Sequence, residues 1–137
     1  MVRDIAELLN IEPPRVRRVR KLRSGDGIAS YYPLDNTVEI VTSAMDADVA
    51  FALAHELRHA WQHVHAPEMW QGYRTRLACG SVEAYNMQPA EIDANAFAQI
   101  IMVDAIGLKP LFRGLSPRVR AAINARAAEV ARCLKTL

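Results

Sequence analysis

The residues in this chain best suited to chemistry are His55, Glu56 and His59, which form H-E-x-x-H in the run Ala54-His55-Glu56-Leu57-Arg58-His59-Ala60-Trp61. In a helix rising about 1.5 Å and turning about 100° per residue, the two histidines sit one turn apart on one face, about 6 Å along the axis. Two imidazoles so placed can share one metal ion, and zinc accepts neutral imidazole nitrogens at about 2.0–2.1 Å. A catalytic zinc site needs a third protein ligand and leaves a fourth position to water, so the motif alone is incomplete. Glu56 projects beside the metal rather than onto it, where a carboxylate can take a proton from water as general base.

Acids downstream are the natural source of the third ligand. Glu91 opens the stretch Glu91-Ile92-Asp93-Ala94-Asn95-Ala96-Phe97-Ala98, in which Glu91, Ala94, Asn95, Ala98, Met102 and Ala105 share one helical face. Small alanines on that face allow close approach of a second helix, and Asn95 could steady a ligand from behind. Glu83 and Asp93 are the alternatives among the acids, although Asp93 points away from that face. His65 is a further candidate, because it stands six residues after His59 as in H-E-x-x-H-x-x-G-x-x-H. That pattern needs glycine to end the helix abruptly, and this chain has Gln62 there, a helix former without ready access to positive φ. The helix is therefore expected to run on, carrying His65 about 9 Å beyond His59 along the axis. Tyr85 and His63 are weighed as stabilisers of an oxyanion, with ordinary packing or surface positions the plainer reading of both.

The elements that must position these groups can be read from pattern. Ile5, Leu8 and Leu9 mark a short helix from Val2 to Asn10, ended by Pro13-Pro14. Arg15 to Arg23 holds six basic residues and no acid; its apolar spacing is helical, yet it can equally form a basic edge strand. Gly25-Asp26-Gly27 reads as a turn, and Ile28–Tyr32 and Thr37–Val41 as a hairpin around Pro33-Leu34-Asp35-Asn36. Thr42 or Ser43 offers an N-cap for a helix from about Ala44 to Val64 that carries the histidines, with Val49, Leu53, Leu57, Ala60 and Val64 on one side. A weaker helix is expected over Glu68–Leu77, broken at Cys79-Gly80-Ser81, and an irregular segment over Tyr85–Gln88. Pro89 starts the helix bearing Glu91, which Gly107 caps, and Ser116-Pro117 opens an amphipathic last helix.

A β-rich segment, then H-E-x-x-H, then E-x-[DE]-A-N-x-F-A on a following helix, resembles the zincin metallopeptidases of gluzincin type, closest to the ImmA/IrrE family. His55, Glu56, His59, Glu91, Asp93, Ala94, Asn95, Phe97 and Ala98 carry the likeness, which spans roughly Gly25 to Met102. Arg58 stands where family members usually have glycine, and Ile100-Ile101-Met102-Val103 replaces a Leu-Met-Pro ending. The run His55 to Gln62 also resembles a loosely described group of metallopeptidase-like domains. The resemblance implies a zinc-dependent peptidase of α+β, zincin-like fold: a small antiparallel sheet on the histidine helix, with later helices closing a cleft. It further implies that the substrate is a regulatory protein.

Composition bounds the remaining possibilities. The 137 residues, 51% hydrophobic, read as one domain over 1–137 that needs no disulfide framework. A net charge of +2 does not demand nucleic acid or an anionic membrane as partner. No apolar window approaches the roughly 18 residues of a membrane span, and the N-terminus lacks a signal peptide's core, so a cytoplasmic protein is expected. Cys79 and Cys133 are far apart and outside metal or redox spacing, which makes them small buried hydrophobes in expectation. Two rival functions remain: a metal-binding regulatory domain without catalysis, and a nucleic-acid adaptor using Arg15 to Arg23, which lacks the aromatic interleaving that base stacking needs.

Overall fold

The structure is a computed structural model that describes residues 1–25 and 27–135. Its class is α+β, with six α-helices and one three-stranded mixed sheet among the described residues. The chain divides into two compact units, Met1–Pro67 and Glu68–Leu137. Among the described residues no helix is long and apolar enough to cross a membrane.

In the first unit, α1 (Val2–Leu9) buries Ile5, Ala6 and Leu9 and leaves Leu8 39% exposed. Asn10 rather than Pro13 stops it: Asn10 turns left-handed at φ 53°, and its amide donates back to the carbonyls of Ala6 and Glu7. The three strands are β1 (Arg15–Val19), β2 (Ala29–Tyr32) and β3 (Thr37–Val41), in the order β1-β3-β2. The expected hairpin is present, β2 running antiparallel to β3 with Tyr32 opposite Thr37. The basic run takes the edge-strand alternative over the helical one. It pairs in parallel with β3, Arg15 opposite Thr37 and Val19 opposite Val41, so the sheet is mixed where an antiparallel one was expected.

The reason lies in β3, whose Thr37, Val38, Glu39 and Ile40 are all at most 3% exposed. A strand covered on both faces needs its backbone paired along both edges, and a lone hairpin satisfies only one. Beyond β1, the connection folds back over the sheet: Leu22 is buried, the Arg23 amide donates to Glu39 Oε1 (3.0 Å), and Arg23 Nε donates to Oε2 (3.2 Å). The Arg23 guanidinium also reaches Asp35 at 3.1 Å and lies 3.8 Å over the Tyr32 ring. Arg18 donates to the Val41 carbonyl at 3.3 Å, while Arg15, Arg17 and Arg20 are exposed. In the turn predicted at Gly25-Asp26-Gly27, Asp26 lies outside the described residues; the flanking glycines hold φ of 85° and 92°.

Helix α2 (Asp46–His65) packs against α1, β2 and β3. It is free of Gly and Pro throughout and rich in Ala and Leu, which favours unbroken helix. It starts at Met45, extended and without a side-chain cap, so the Thr42 or Ser43 cap is not used. Asp46 and Asp48 in the first turn offset the exposed amides through the helix dipole. The apolar stripe is narrower than expected, since Val64 is 61% exposed, but the middle turns from Leu53 to Ala60 are buried nearly all round, His55 alone being half-buried.

Pro67–Trp70, where the first unit ends and the second begins in sequence, forms one 3-10 turn, and Gly72 (φ 73°) breaks the chain there, so the helix expected over Glu68–Leu77 is absent. Two capped short helices follow: α3 (Arg76–Cys79), with Thr75 Oγ1 accepting from the Ala78 amide, and α4 (Val82–Asn86), with Ser81 Oγ accepting from the Ala84 amide. Tyr85 is thus helical where an irregular segment was expected, because Ser81 starts a new helix directly after Gly80 ends the last. Helix α5 (Pro89–Ile101) begins on proline, widens into a π-helical turn at Met102–Ile106 and stops at left-handed Gly107. It packs on α6 (Pro117–Lys135) through Ala96, Val119, Ile123 and Ala127. Of the two cysteines, Cys79 is half-buried and Cys133 exposed, so neither is the buried hydrophobe expected.

Candidate metal centre

His55 and His59 lie in the buried middle of α2, their ring centroids 4.6 Å apart and the rings nearly perpendicular at 87°. His59 is 6% exposed, and its Nδ1 is 2.8 Å from Oε1 of Gln62, one turn on and wholly buried. A carboxamide oxygen only accepts, so Nδ1 carries the proton and Nε2 keeps its lone pair for a metal. His55 is half-buried beside Phe51, whose ring centroid is 6.2 Å away. Glu56, between the two histidines in sequence, is 8% exposed.

Glu91 occupies the first turn of α5 and is 3% exposed. The Tyr73 hydroxyl donates to its Oε2 at 3.1 Å. Burial, reinforced by the charge of Glu91, pushes the Tyr73 phenol far above its usual range, so it remains a donor. One ligand atom from each of His55, His59 and Glu91 lies within 4.8 Å of the others. Among the described residues, this is a group of nitrogen and carboxylate donors that could hold a metal ion.

The competing ligands are engaged elsewhere. Asp93, 1% exposed, receives Arg126 Nε and a terminal guanidinium nitrogen of Arg126, both at 2.9 Å, which ties α5 to α6. Glu83 Oε1 accepts from Ser116 Oγ at 2.7 Å, and Arg118 stands 3.8 Å from its other oxygen. Helix α2 runs through Gln62 without a break, and His65 at its end meets the Asn10 carbonyl through Nε2 at 2.8 Å.

His63 is half-buried with its ring 5.8 Å from that of Tyr31; burial, then the neighbouring His59, lowers its pKa. The Tyr85 hydroxyl is 3.1 Å from that of Tyr73, and Asn95 is 6% exposed. Arg58, where the resemblance expects glycine, is 5% exposed, and its guanidinium stacks 3.6 Å over Trp61.

Gln62 and Tyr73 are the groups that sequence reasoning did not assign. Gln62 was legible, since a residue three positions after a histidine shares its helix face. Tyr73 was not, because it lies outside regular structure and 18 residues from Glu91. Comparison of the chain with protein-family models, curated proteins and solved structures finds no match.

Proposed function

We propose that the chain is a zinc-dependent metallopeptidase that hydrolyses peptide bonds in a protein or peptide substrate. The observation that carries this reading is the convergence of His55, His59 and Glu91 donor atoms within 4.8 Å. Two imidazoles and one carboxylate match the three-ligand set of catalytic zinc sites, in which a fourth position stays open. When bound, the ion lowers the pKa of water towards about 7 and polarises the scissile carbonyl.

The chain's own residues supply the rest. His55 and His59 bind as neutral imidazoles, the second held in the required tautomer by Gln62. Glu56 accepts the proton of the attacking water and delivers it to the nitrogen of the leaving amine. Its placement next to His55, with only 8% exposure, supports that role over a solvated surface carboxylate.

Metal analysis of protein purified without chelator should find one zinc per chain, and His59→Ala should lose it. Glu56→Gln should keep the metal and lower peptidase activity by about 10²–10⁴-fold, because the amide preserves shape but takes no proton. A Glu56→Gln variant that cleaves as well as wild type shows that Glu56 is not the base, whereas zinc-loaded wild type that cleaves no peptide leaves a metal-binding regulatory domain.

A further inference from the structure

We infer that Tyr73 is a positioning residue for Glu91, holding one carboxylate oxygen so that the other is presented to the metal; this rests on Glu91 being a ligand. Tyr73 has a single hydroxyl proton and two oxygen neighbours at 3.1 Å, Glu91 Oε2 and the Tyr85 hydroxyl. An ionised carboxylate has no proton to give, so Tyr73 donates to Glu91, and the Tyr85 hydroxyl is left as donor to Tyr73. The result is a directed chain from Tyr85 through Tyr73 to Glu91 Oε2. With Oε2 engaged, Glu91 offers Oε1 as a single ligand atom and loses freedom to rotate about its last side-chain bond.

The local chain is built to hold this contact. The Gln88 carboxamide clips the backbone next to Tyr73: its Oε1 accepts from the Arg74 amide at 2.7 Å, and its Nε2 donates to the Arg74 carbonyl at 3.0 Å. The same Nε2 lies 3.1 Å from the Tyr85 carbonyl, so one side chain fixes both tyrosine-bearing segments. Gln88 is the N-cap residue of α5, three positions before Glu91, which ties the phenol and the carboxylate to one frame. The Trp70 ring packs 4.4 Å from that of Tyr73, and the Arg76 guanidinium lies 5.3 Å over Tyr85. An irregular segment without this clip would have no reason to hold a phenol at one carboxylate oxygen.

The test is a double-mutant cycle on zinc affinity, measured by competition with a chromophoric chelator in wild type, Tyr73→Phe, Glu91→Ala and the double variant. Tyr73→Phe keeps the ring against Trp70 and removes only the hydroxyl; it should weaken zinc binding about 10–100-fold. In the Glu91→Ala background the same change should alter affinity by no more than about twofold, since the group it acts through is gone. Equal loss in both backgrounds shows that Tyr73 works through folding rather than through Glu91, and overturns the inference. Unchanged affinity in Tyr73→Phe overturns it also. If wild type binds zinc and Glu91→Ala has full affinity, the ligand assignment fails first, and the inference falls with it.

Discussion

Gln62 Oε1 lies 2.8 Å from Nδ1 of His59, at the position where a third-histidine zincin motif would require glycine. One residue therefore does two things. As a helix former it carries α2 on to His65, and as an acceptor it fixes the tautomer of His59. A glycine there would weaken the helix by about 1 kcal/mol and offer no acceptor.

At the proposed zinc site, Gln62 is therefore expected to add to metal affinity. Gln62→Leu, similar in volume but without the acceptor, should weaken zinc binding about 10–100-fold, whereas Gln62→Glu keeps an oxygen at Nδ1 and should bind nearly as wild type. Competition titration of the three proteins decides it; equal affinity in Gln62→Leu means the contact is packing alone.

The four candidates for the third ligand separate by what their loss does. His65→Ala removes a contact to the Asn10 carbonyl and should cost about 0.5–1.5 kcal/mol in urea unfolding with zinc content unchanged. Asp93→Ala should destabilise by about 1–3 kcal/mol, less than a fully buried pair because Arg126 is 29% exposed, again with zinc retained. Glu83→Ala should change neither quantity measurably, since its pairs are exposed. Of these four, Glu91→Ala alone should weaken zinc binding. Zinc lost from Asp93→Ala or His65→Ala at a temperature where the protein is folded contradicts the assignment.

The sheet carries its own acid sensitivity. The Arg23 amide, with the Arg23 guanidinium, holds Glu39 below the usual carboxylate range. A depressed folded pKa means that this stabilisation is present above the unfolded value, about 4.3, and is lost as pH falls through the lower folded value. The urea midpoint of wild type should therefore exceed that of Glu39→Gln at pH 7, with the gap closing as pH falls below the unfolded value and through the lowered folded one. A gap that does not vary with pH shows that ionised Glu39 contributes nothing.

The sequence by itself determined the elements whose periodicity is strong and local. H-E-x-x-H on a helix places His55 and His59 on one face, Ile28–Tyr32 and Thr37–Val41 are β-rich runs either side of a turn and form a hairpin, and Pro89 opens the helix of Glu91. It also put Glu91 ahead of Asp93, since the two fall on different faces of that helix. What it left open depended on partners distant in the chain. Arg15–Val19 fits a helix or a strand by spacing, and only the unpaired edge of buried β3 made it a parallel strand. Whether Asp93 was free depended on Arg126, 33 residues away, and His65 on Asn10, 55 residues away. Tyr73 reaches Glu91 beside a Gln88 side chain that clips the Arg74 backbone, and contacts to backbone groups leave no mark in residue periodicity. Local spacing sets the direction of a side chain; which group meets it there is decided by the path of the chain in three dimensions.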